Sequence, residues 1–166
     1  MLGIPALMFL AQAATLPVDV RARFERSGER LLVRYCSASA GRLRLHGSNA
    51  QRPTLLTIEP PPDRDAGDLL EWHLAQPGCV ELQHGLGRIA DARREGRGWR
   101  IGDNLLSHAS SWWWQPDAQT HTRVQFELPA GWVVSAPWPT CAAATDCRIV
   151  PALPDDQPAL VALGPF

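Results

Sequence analysis

The sequence contains no lysine, and its 16 strongly basic residues are all arginine. It also has no long run of charge of either sign. Its 17 acidic residues leave a formal net charge of −1. This balance of charge does not predict binding to a polyanion. Five arginines between positions 88 and 100 are interleaved with Asp91 and Glu95, and we expect them to form a charged protein surface. Nucleic acid is therefore not a predicted partner.

Catalytic and metal-binding motifs are also missing. There is no H-E-x-x-H, no G-x-S-x-G and no C-x-x-C, which excludes a zinc-peptidase helix, a serine nucleophile elbow and a zinc knuckle from these 166 residues. We expect His73 and His84 to be solvent-facing strand residues. Asp63, Asp65 and Asp68 are expected to form a solvated acidic turn. We predict no catalytic residue, no metal ligand and no cofactor in this chain.

A sustained helical period is absent as well, and 15 prolines and 13 glycines interrupt the chain too often for long helices. Alternation of apolar and polar residues is present instead. Val18–Phe24 and Leu31–Tyr35 alternate on either side of a Ser-Gly turn, which predicts a hairpin. Shorter alternating runs follow at Arg42–His46, Thr54–Ile58, Leu70–Leu74 and Val80–His84. Short strands at this spacing predict an all-β fold, an antiparallel β-sandwich with little or no helix.

Three later regions complete the predicted sheet. Arg88–Arg100 fits either a helical turn or a strand pair, and we favour the strand pair. Arg123–Leu128 alternates, Pro129-Ala130-Gly131 supplies a turn, and Trp132–Val134 resumes an apolar run, which predicts a second hairpin. The closing segment Leu160–Phe166 is apolar, and domains seldom end on such a strand unless it is docked. We therefore expect that the chain once continued beyond it.

The N-terminus predicts export. Its first 18 residues carry no charged side chain, and the apolar run ends in the small-residue sequence Ala11-Gln12-Ala13. This is typical of a signal peptide, whereas Pro5, Gln12 and the short apolar length argue against a permanent membrane span. We predict a signal peptide at 1–13, a single domain at 14–166, and a periplasmic or extracellular location.

Four cysteines suit that compartment, because an even number in an exported chain favours disulfides. Cys141 and Cys147 enclose five residues, so proximity favours a local bridge and leaves Cys36 to pair with Cys79. Four cysteines allow three pairings, and the spacing alone leaves the other two open.

Tryptophan is concentrated near one segment. Five of the seven indoles lie between positions 111 and 139. In an extended strand Trp112 and Trp114 would share one face and Trp113 the other, so some indole surface would face a partner or solvent. We predict a binding surface for a partner or ligand, and we expect Trp114→Ala or Trp138→Ala to leave the fold standing. The candidate residues are Trp112, Trp113, Trp114, Trp132 and Trp138.

Two segments resemble a known family. Gly98–Leu106, with the sequence GWRIGDNLL, and Trp112–Trp138, which contains VQFELPAGWVVSAPW, are similar to the N-terminal β-domain of glycyl-aminopeptidase-like metallopeptidases of the thermolysin type. The closing Ala159–Phe166 is similar to the strand that leads toward their catalytic domain. The resemblance implies a non-catalytic β-domain that packs against a zinc domain. It transfers no catalytic or zinc-binding residue to any position here.

The predicted function is therefore that of a non-enzymatic accessory domain of a peptidase-like protein, either as an N-terminal piece or as a stand-alone relative. Its predicted partner is a protein domain, in the first place a metallopeptidase catalytic domain. The alternative is a secreted carbohydrate-binding module that stacks sugar rings on the same tryptophans. A small hydrolase comes third, and it would need a histidine and a carboxylate that converge in a cleft.

Overall fold

The computed structural model describes residues 18–48, 50–92, 97–117, 119–142, 144–152 and 159–166. The predicted signal peptide at 1–13 lies outside them. The elements within these ranges are almost all strands, as predicted, with one short α-helix and a 3-10 turn at Ala109–Ser111. The order is β1 (Val18–Glu25), β2 (Arg30–Ser37), β3 (Gly41–His46), β4 (Leu55–Glu59), β5 (Arg64–Asp65), β6 (Leu69–Leu74), β7 (Gly78–Gly85), α1 (Leu86–Ala92), β8 (Gly98–Ile101), β9 (Asn104–His108), β10 (Gln115–Pro116), β11 (His121–Glu127), β12 (Val133–Ser135), β13 (Thr140–Cys141), β14 (Ala144–Pro151) and β15 (Leu160–Gly164).

The strands form three sheets. Sheet 1 has seven strands in the order β13-β14-β11-β1-β2-β7-β4. Sheet 2 has the order β10-β3-β6-β5, and sheet 3 has the order β12-β15-β9-β8. Neighbouring strands are antiparallel, apart from the parallel pair β1 and β11. The predicted all-β sandwich is confirmed.

The first hairpin shows why the sequence folds this way. β1 buries every second residue from Val18 to Phe24 and exposes or half-exposes the residues between them. The turn to β2 places Gly28 at φ 80° and Glu29 at φ 48°, and successive left-handed residues match the twist of a hairpin. β2 then returns in full register with β1, so this predicted hairpin is confirmed.

The core lies between sheet 1 and the two smaller sheets. One face of sheet 1 contributes a continuous apolar cluster, for example Val20, Val33 and Leu82, while its other face presents alternating charged residues such as Arg21 and Arg34. Sheets 2 and 3 each add one apolar face to the same cluster. Each smaller sheet therefore has an inner face in the core and an outer face away from it.

The second predicted hairpin is wrong. β11 pairs with β1 and β14 in sheet 1, whereas β12 pairs with β15 in sheet 3. The turn itself is present, with Trp132 N donating to Pro129 O at 3.0 Å and Gly131 at φ 79°. Trp132 stacks on Phe24 with ring centroids 5.0 Å apart, so the chain is anchored as it passes between sheets. Alternation identifies strands but does not identify their partners.

The strand pair favoured for Arg88–Arg100 is half wrong, because its first part is the helix α1. Leu86, Ile89 and Ala90 stand at the i, i+3, i+4 spacing of one helical face, and α1 lays that face against β8. At Gly98 a side-chain Cβ would lie 2.9 Å from Ile89. The glycine therefore allows this close contact between α1 and β8.

Disulfides and the last strand complete the fold. Cys36 is bonded to Cys79 across the neighbouring strands β2 and β7, and Cys141 is bonded to Cys147, the pairing favoured from the sequence. β15 runs between β12 and β9 inside sheet 3. The closing apolar segment is thus an internal strand of that sheet.

Candidate functional site

The tryptophan run is not a surface. Trp112, Trp113 and Trp114 are 1%, 2% and 0% exposed, and Trp138 is also buried. The prediction that the run presents indoles to a partner is therefore wrong. The segment follows a 3-10 turn, and Trp112 has φ −146° and ψ −15°. These angles are not those of an extended strand, so the alternation of faces that we assumed does not apply.

Each indole of the run is fixed by a different part of the core. Trp112 Nε1 donates to Ser107 Oγ of sheet 3 at 3.2 Å, and the ring meets Trp138 edge-on. Trp113 Nε1 donates to Gln115 Oε1 at 3.1 Å. Trp114 lies against Gly47, just beyond β3 of sheet 2, where a Cβ would come within 2.6 Å of its ring. The run therefore joins the inner sides of both smaller sheets.

Trp132, the fifth candidate, is half-buried against Phe24. Together with the four buried indoles it offers no planar row of exposed rings. The structural premise of a carbohydrate-binding module, which needs such a row, is therefore missing at the residues proposed for it. Sequence reasoning missed a different tryptophan, Trp99, which is 37% exposed on β8.

His84 was also predicted wrongly, since it is 0% exposed. It stands in register with Leu31 of β2, on the core face of β7. Val80, Leu82 and His84 share one parity, and this signal in the sequence could have placed the histidine inside. His73, by contrast, is exposed on β6 as predicted, beside Asp63.

A buried polar cluster surrounds His84. Its Nδ1 lies 2.8 Å from Thr54 Oγ1, and that hydroxyl also lies within hydrogen-bond distance of the Gln51 and Ser111 carbonyl oxygens. Carbonyl oxygens only accept, so these contacts favour the tautomer in which His84 Nδ1 donates to Thr54 Oγ1 and the hydroxyl donates to one of the two carbonyls. Burial lowers the pKa of His84 to about 3. The ring is neutral and closed off from substrates.

The described histidine–carboxylate pairs, His73 with Asp63 and His46 with Asp117, lie on the protein surface with both histidines exposed. No group of three or more His, Cys, Asp or Glu residues there has the geometry to hold a metal ion. In the acidic turn, Asp65 pairs with Arg52, whose guanidinium holds the pKa of that carboxyl below its usual value. The turn is an exposed ion-paired structure and contains no calcium-loop geometry.

The outer face of sheet 2 is charged. Arg44 Nε donates to Glu71 Oε2 at 2.6 Å, and Arg42 lies 3.6 Å from the other carboxylate oxygen. The hydrogen bond from Arg44 is the main cause that holds the pKa of Glu71 below its usual value. His46 and Asp117 lie 3.4 Å apart at the edge of the same face. These groups largely satisfy one another.

The outer face of sheet 3 is apolar. Alternation along β8, β9, β15 and β12 places ten residues there, and none is Asp, Glu or Arg. Four of them are large exposed hydrophobic residues: Trp99 at 37%, Ile101 at 61%, Val133 at 46% and Leu160 at 41%. The others are Asn104, Leu106, His108, Ser135, Ala162 and Gly164. This surface, called the sheet 3 face below, is the candidate site.

A cavity of ≈ 680 Å³ opens on the sheet 3 face beside β8. Trp99, Ile101, Leu106 and Leu160 supply its apolar walls, and Ala90, Asp91 and Arg100 border it toward α1. The two charges are not free, because Arg100 bonds both carboxylate oxygens of Glu29, at 2.5 and 2.6 Å, and Asp91 Oδ1 at 3.1 Å. The glutamate and the aspartate raise the pKa of Arg100 above its usual value. The cavity therefore offers apolar contact with a neutralised border.

Comparison with known proteins gives one kind of match. No family model and no curated protein matches the sequence. Among solved structures, the chain is similar to an aminopeptidase N family protein from Idiomarina loihiensis, with a TM-score of 0.64 and 9% sequence identity. The match covers 89% of this chain and 29% of that one, so the chain spans under a third of that protein's length. At this identity the match shows the fold.

Within the part of the chain that is described, no helix is long and apolar enough to cross a membrane. The two disulfides are the feature that bears on location. Disulfides persist in oxidising compartments and are rare in reducing ones. They are consistent with an exported protein.

Proposed function

We propose that this chain is a non-catalytic β-sandwich domain that accompanies a peptidase-type catalytic domain and acts by docking on other protein surfaces. The observation that carries the proposal is the extent of the fold match. Nearly the whole chain superposes on less than a third of an aminopeptidase N family protein. A protein of that kind holds this fold as one part beside others. That relation supports the accessory role.

The chemistry of the described residues supports docking in preference to catalysis. The buried histidine is neutral and bonded to Thr54, and the exposed His46 and His73 pair with Asp117 and Asp63. The sheet 3 face, in contrast, exposes large apolar side chains to water, and no Asp, Glu or Arg lies on it. Exposed apolar patches of this kind mark interaction sites. We therefore place the docking surface on sheet 3 and not on the buried tryptophan run.

We also propose that the domain works outside the cytoplasm, in the periplasm or the extracellular medium. The disulfides between β2 and β7 and around β13 support this location, together with the signal-like sequence at 1–13. Export of a fusion between residues 1–17 and a reporter enzyme that is active only outside the cytoplasm is the direct measurement.

The test of the accessory role begins with a search of the adjacent reading frames for an H-E-x-x-H motif, and it then uses the full chain and the product of a frame that encodes one. Purified alone and supplied with zinc, the chain is expected to hydrolyse no aminoacyl-methylcoumarin substrate. Mixed with the peptidase product, it is expected to form a one-to-one complex in size-exclusion chromatography with light scattering. Ile101→Asp is expected to weaken the complex, and Leu56→Asp, a matched change at an exposed leucine of sheet 1, is the control.

Two results would contradict the proposal. Zinc-dependent hydrolysis by the chain alone, lost on chelation, would make it an enzyme. A peptidase product that is stable, active and unable to bind the chain at micromolar concentration would remove the accessory role.

A further inference from the structure

The cavity on the sheet 3 face lies beside an open strand edge. β8 ends sheet 3, and His108 N donates to Arg97 O at 2.9 Å. In an antiparallel ladder bonded positions alternate, so Trp99 and Ile101 bond toward β9 while Gly98 and Arg100 point their backbone groups away. Gly98 is buried against α1, whereas Arg100 is exposed. The N–H and C=O of Arg100 thus form the open part of the edge.

The apolar walls stand directly next to these groups. Trp99 and Ile101 flank Arg100 in sequence and turn their side chains onto the sheet 3 face, where Leu160 and Leu106 close the cavity. A second chain that bonded to Arg100 would therefore bring one side chain over the cavity. Main-chain bonds to an edge with a pocket for alternate side chains are the pattern of strand addition.

Area argues against a second copy of this chain as the occupant. Four strands about 4.8 Å apart and about four residues long give the face a footprint of roughly 270 Å². A stable dimer needs about 800 Å² from each partner. The face therefore suits a short segment, and a whole domain that docks here would need further contacts outside the face.

Charge defines the chemistry of that segment. The sheet 3 face presents no Asp, Glu or Arg side chain. At its border, the guanidinium of Arg100 already donates to both Asp91 and Glu29. A charged side chain placed here would lose water and gain no partner. An uncharged residue with a large apolar side chain fits the walls.

We propose that β8 and the adjacent cavity bind an extended, uncharged segment of a partner polypeptide, which bonds to the backbone of Arg100 and seats an apolar side chain between Trp99, Ile101 and Leu160. The binding holds whether or not a catalytic domain accompanies the chain. It is measured on this chain alone, so its failure and the failure of the accessory role are separate results.

The test is fluorescence anisotropy with the full chain and a labelled, N-acetylated octapeptide in which leucine and phenylalanine alternate with serine. Ile101→Asp and Leu160→Asp are each expected to raise its Kd about ten-fold or more, because a carboxylate would stand in the apolar contact. Leu56→Asp, at an exposed leucine outside this face, is expected to leave the Kd unchanged. Circular dichroism and thermal melts confirm that each variant is folded, and Trp99→Ala repeats the measurement without adding charge.

Two matched peptides test the mode of binding. N-methylation of the central residues removes the donors that would meet Arg100 O, and a glutamate in place of the central apolar residue tests the cavity. Each is expected to bind about ten-fold more weakly. The segment is then both extended and uncharged.

Five outcomes would overturn the proposal. The wild-type chain binds no alternating peptide, or the aspartate variants bind it as well as wild type does. N-methylation leaves the Kd unchanged. Light scattering shows a dimer that Ile101→Asp disperses, which would make a second copy the occupant. A peptide with the sequence of residues 6–13 outcompetes the alternating peptide, which would make the chain's own leader the occupant.

Discussion

Sheets 2 and 3 have four strands each and bury one face each in the same core, but their outer faces are opposite in character. Sheet 2 presents Arg42, Arg44 and Glu71 in ion pairs. Sheet 3 presents Trp99, Ile101 and other apolar residues without a charge among them. The inner faces of the two sheets are therefore alike in being apolar, whereas their outer faces differ.

The difference between the two outer faces separates residues that folding requires from residues that it does not require. An antiparallel sheet that covers a core on one side commonly faces water with polar residues on the other, and sheet 2 follows that rule. Sheet 3 departs from it although its inner residues Leu105, Val161 and Leu163 already supply the core. Its outer apolar residues add little to the folded state of this chain alone. The contact with a partner segment proposed above would give them a role.

The largest expected effect comes from breaking the core that the two sheets share. Trp112→Ala and Trp114→Ala each remove a fully buried indole, and such truncations cost about 3–5 kcal/mol of unfolding free energy. Urea unfolding followed by circular dichroism measures the loss. Trp112 bonds to Ser107 of sheet 3 and Trp114 packs on Gly47 beside sheet 2. Hydrogen exchange is therefore expected to speed up most in β9 for the first variant and in β3 for the second.

Trp99→Ala is the matched control for these variants, because Trp99 lies on the sheet 3 face. It is expected to cost about 1 kcal/mol or less. A loss under 1 kcal/mol for Trp112→Ala would show that the run is not part of the shared core, and the earlier expectation of a tolerant surface would return.

Acid is the second way to separate the regions, because protonation of His84 opposes folding of the core, whereas the sheet 3 face contains no carboxylate. His84 has a pKa of about 3 in the folded protein against 6.5 in the unfolded chain. Between these values the unfolded chain binds a proton that the folded protein does not, so stability falls as pH drops from 6.5 toward 3. At pH 4 the loss relative to pH 7 is expected to be about 3 kcal/mol.

Urea unfolding at a series of pH values measures this dependence. His84→Leu is expected to flatten the curve between pH 3 and 6.5, and His73→Gln, at an exposed histidine, is expected to keep it. Glu71 acts in a lower window, because Arg44 holds its pKa below the usual 4.5. Its contribution is present above pH 4.5 and is lost as pH falls through the lowered pKa. A His84→Leu variant with the wild-type slope would place the titration elsewhere.

Most strands could be predicted because one face of each sheet is buried, and burial on one side imposes a period of two on residues such as Val20, Ala22 and Phe24. The pairing of those strands could not, since period two is the same whichever sheet a strand joins. Pro129–Gly131 makes a turn that is compatible with a hairpin or with passage to another sheet. The stacking of Trp132 on Phe24 is a tertiary contact without a local signature.

The candidate site was placed wrongly for a related reason. The prediction assumes that the tryptophan run is a strand, but Trp112 leaves extended geometry after a 3-10 turn, so three consecutive indoles can all enter the core. Trp99 and Ile101 lie in or next to a region whose sequence fits either a helical turn or a strand pair. Their exposure depends on β8 being an edge strand with α1 on its inner side. That arrangement is fixed by contacts among distant segments.

A third prediction concerns the tie between sheet 3 and sheet 1. Arg148 is buried on β14, where its Nη2 donates to Val134 O of β12 at 2.7 Å and its Nη1 donates to Cys147 O at 3.0 Å. Arg148→Met keeps most of the volume but leaves these carbonyls without their donor, which is expected to cost about 2 kcal/mol. Arg123→Met, at an exposed arginine of β11, is the control. Equal stability of the two variants would show that β12 is held by β15 alone.

The smallest effect on stability is expected on the sheet 3 face itself, and this makes it the sharpest test of the comparison. Ile101→Ser together with Leu160→Ser is expected to change the unfolding free energy by about 0.5 kcal/mol or less, because these side chains are exposed in the folded chain. Binding of a fluorescent apolar dye is expected to fall, whereas Arg42→Ser on sheet 2 is expected to leave it unchanged. A loss above about 1 kcal/mol with unchanged dye binding would mean that these residues serve the fold, and sheet 3 would then differ from sheet 2 only in appearance.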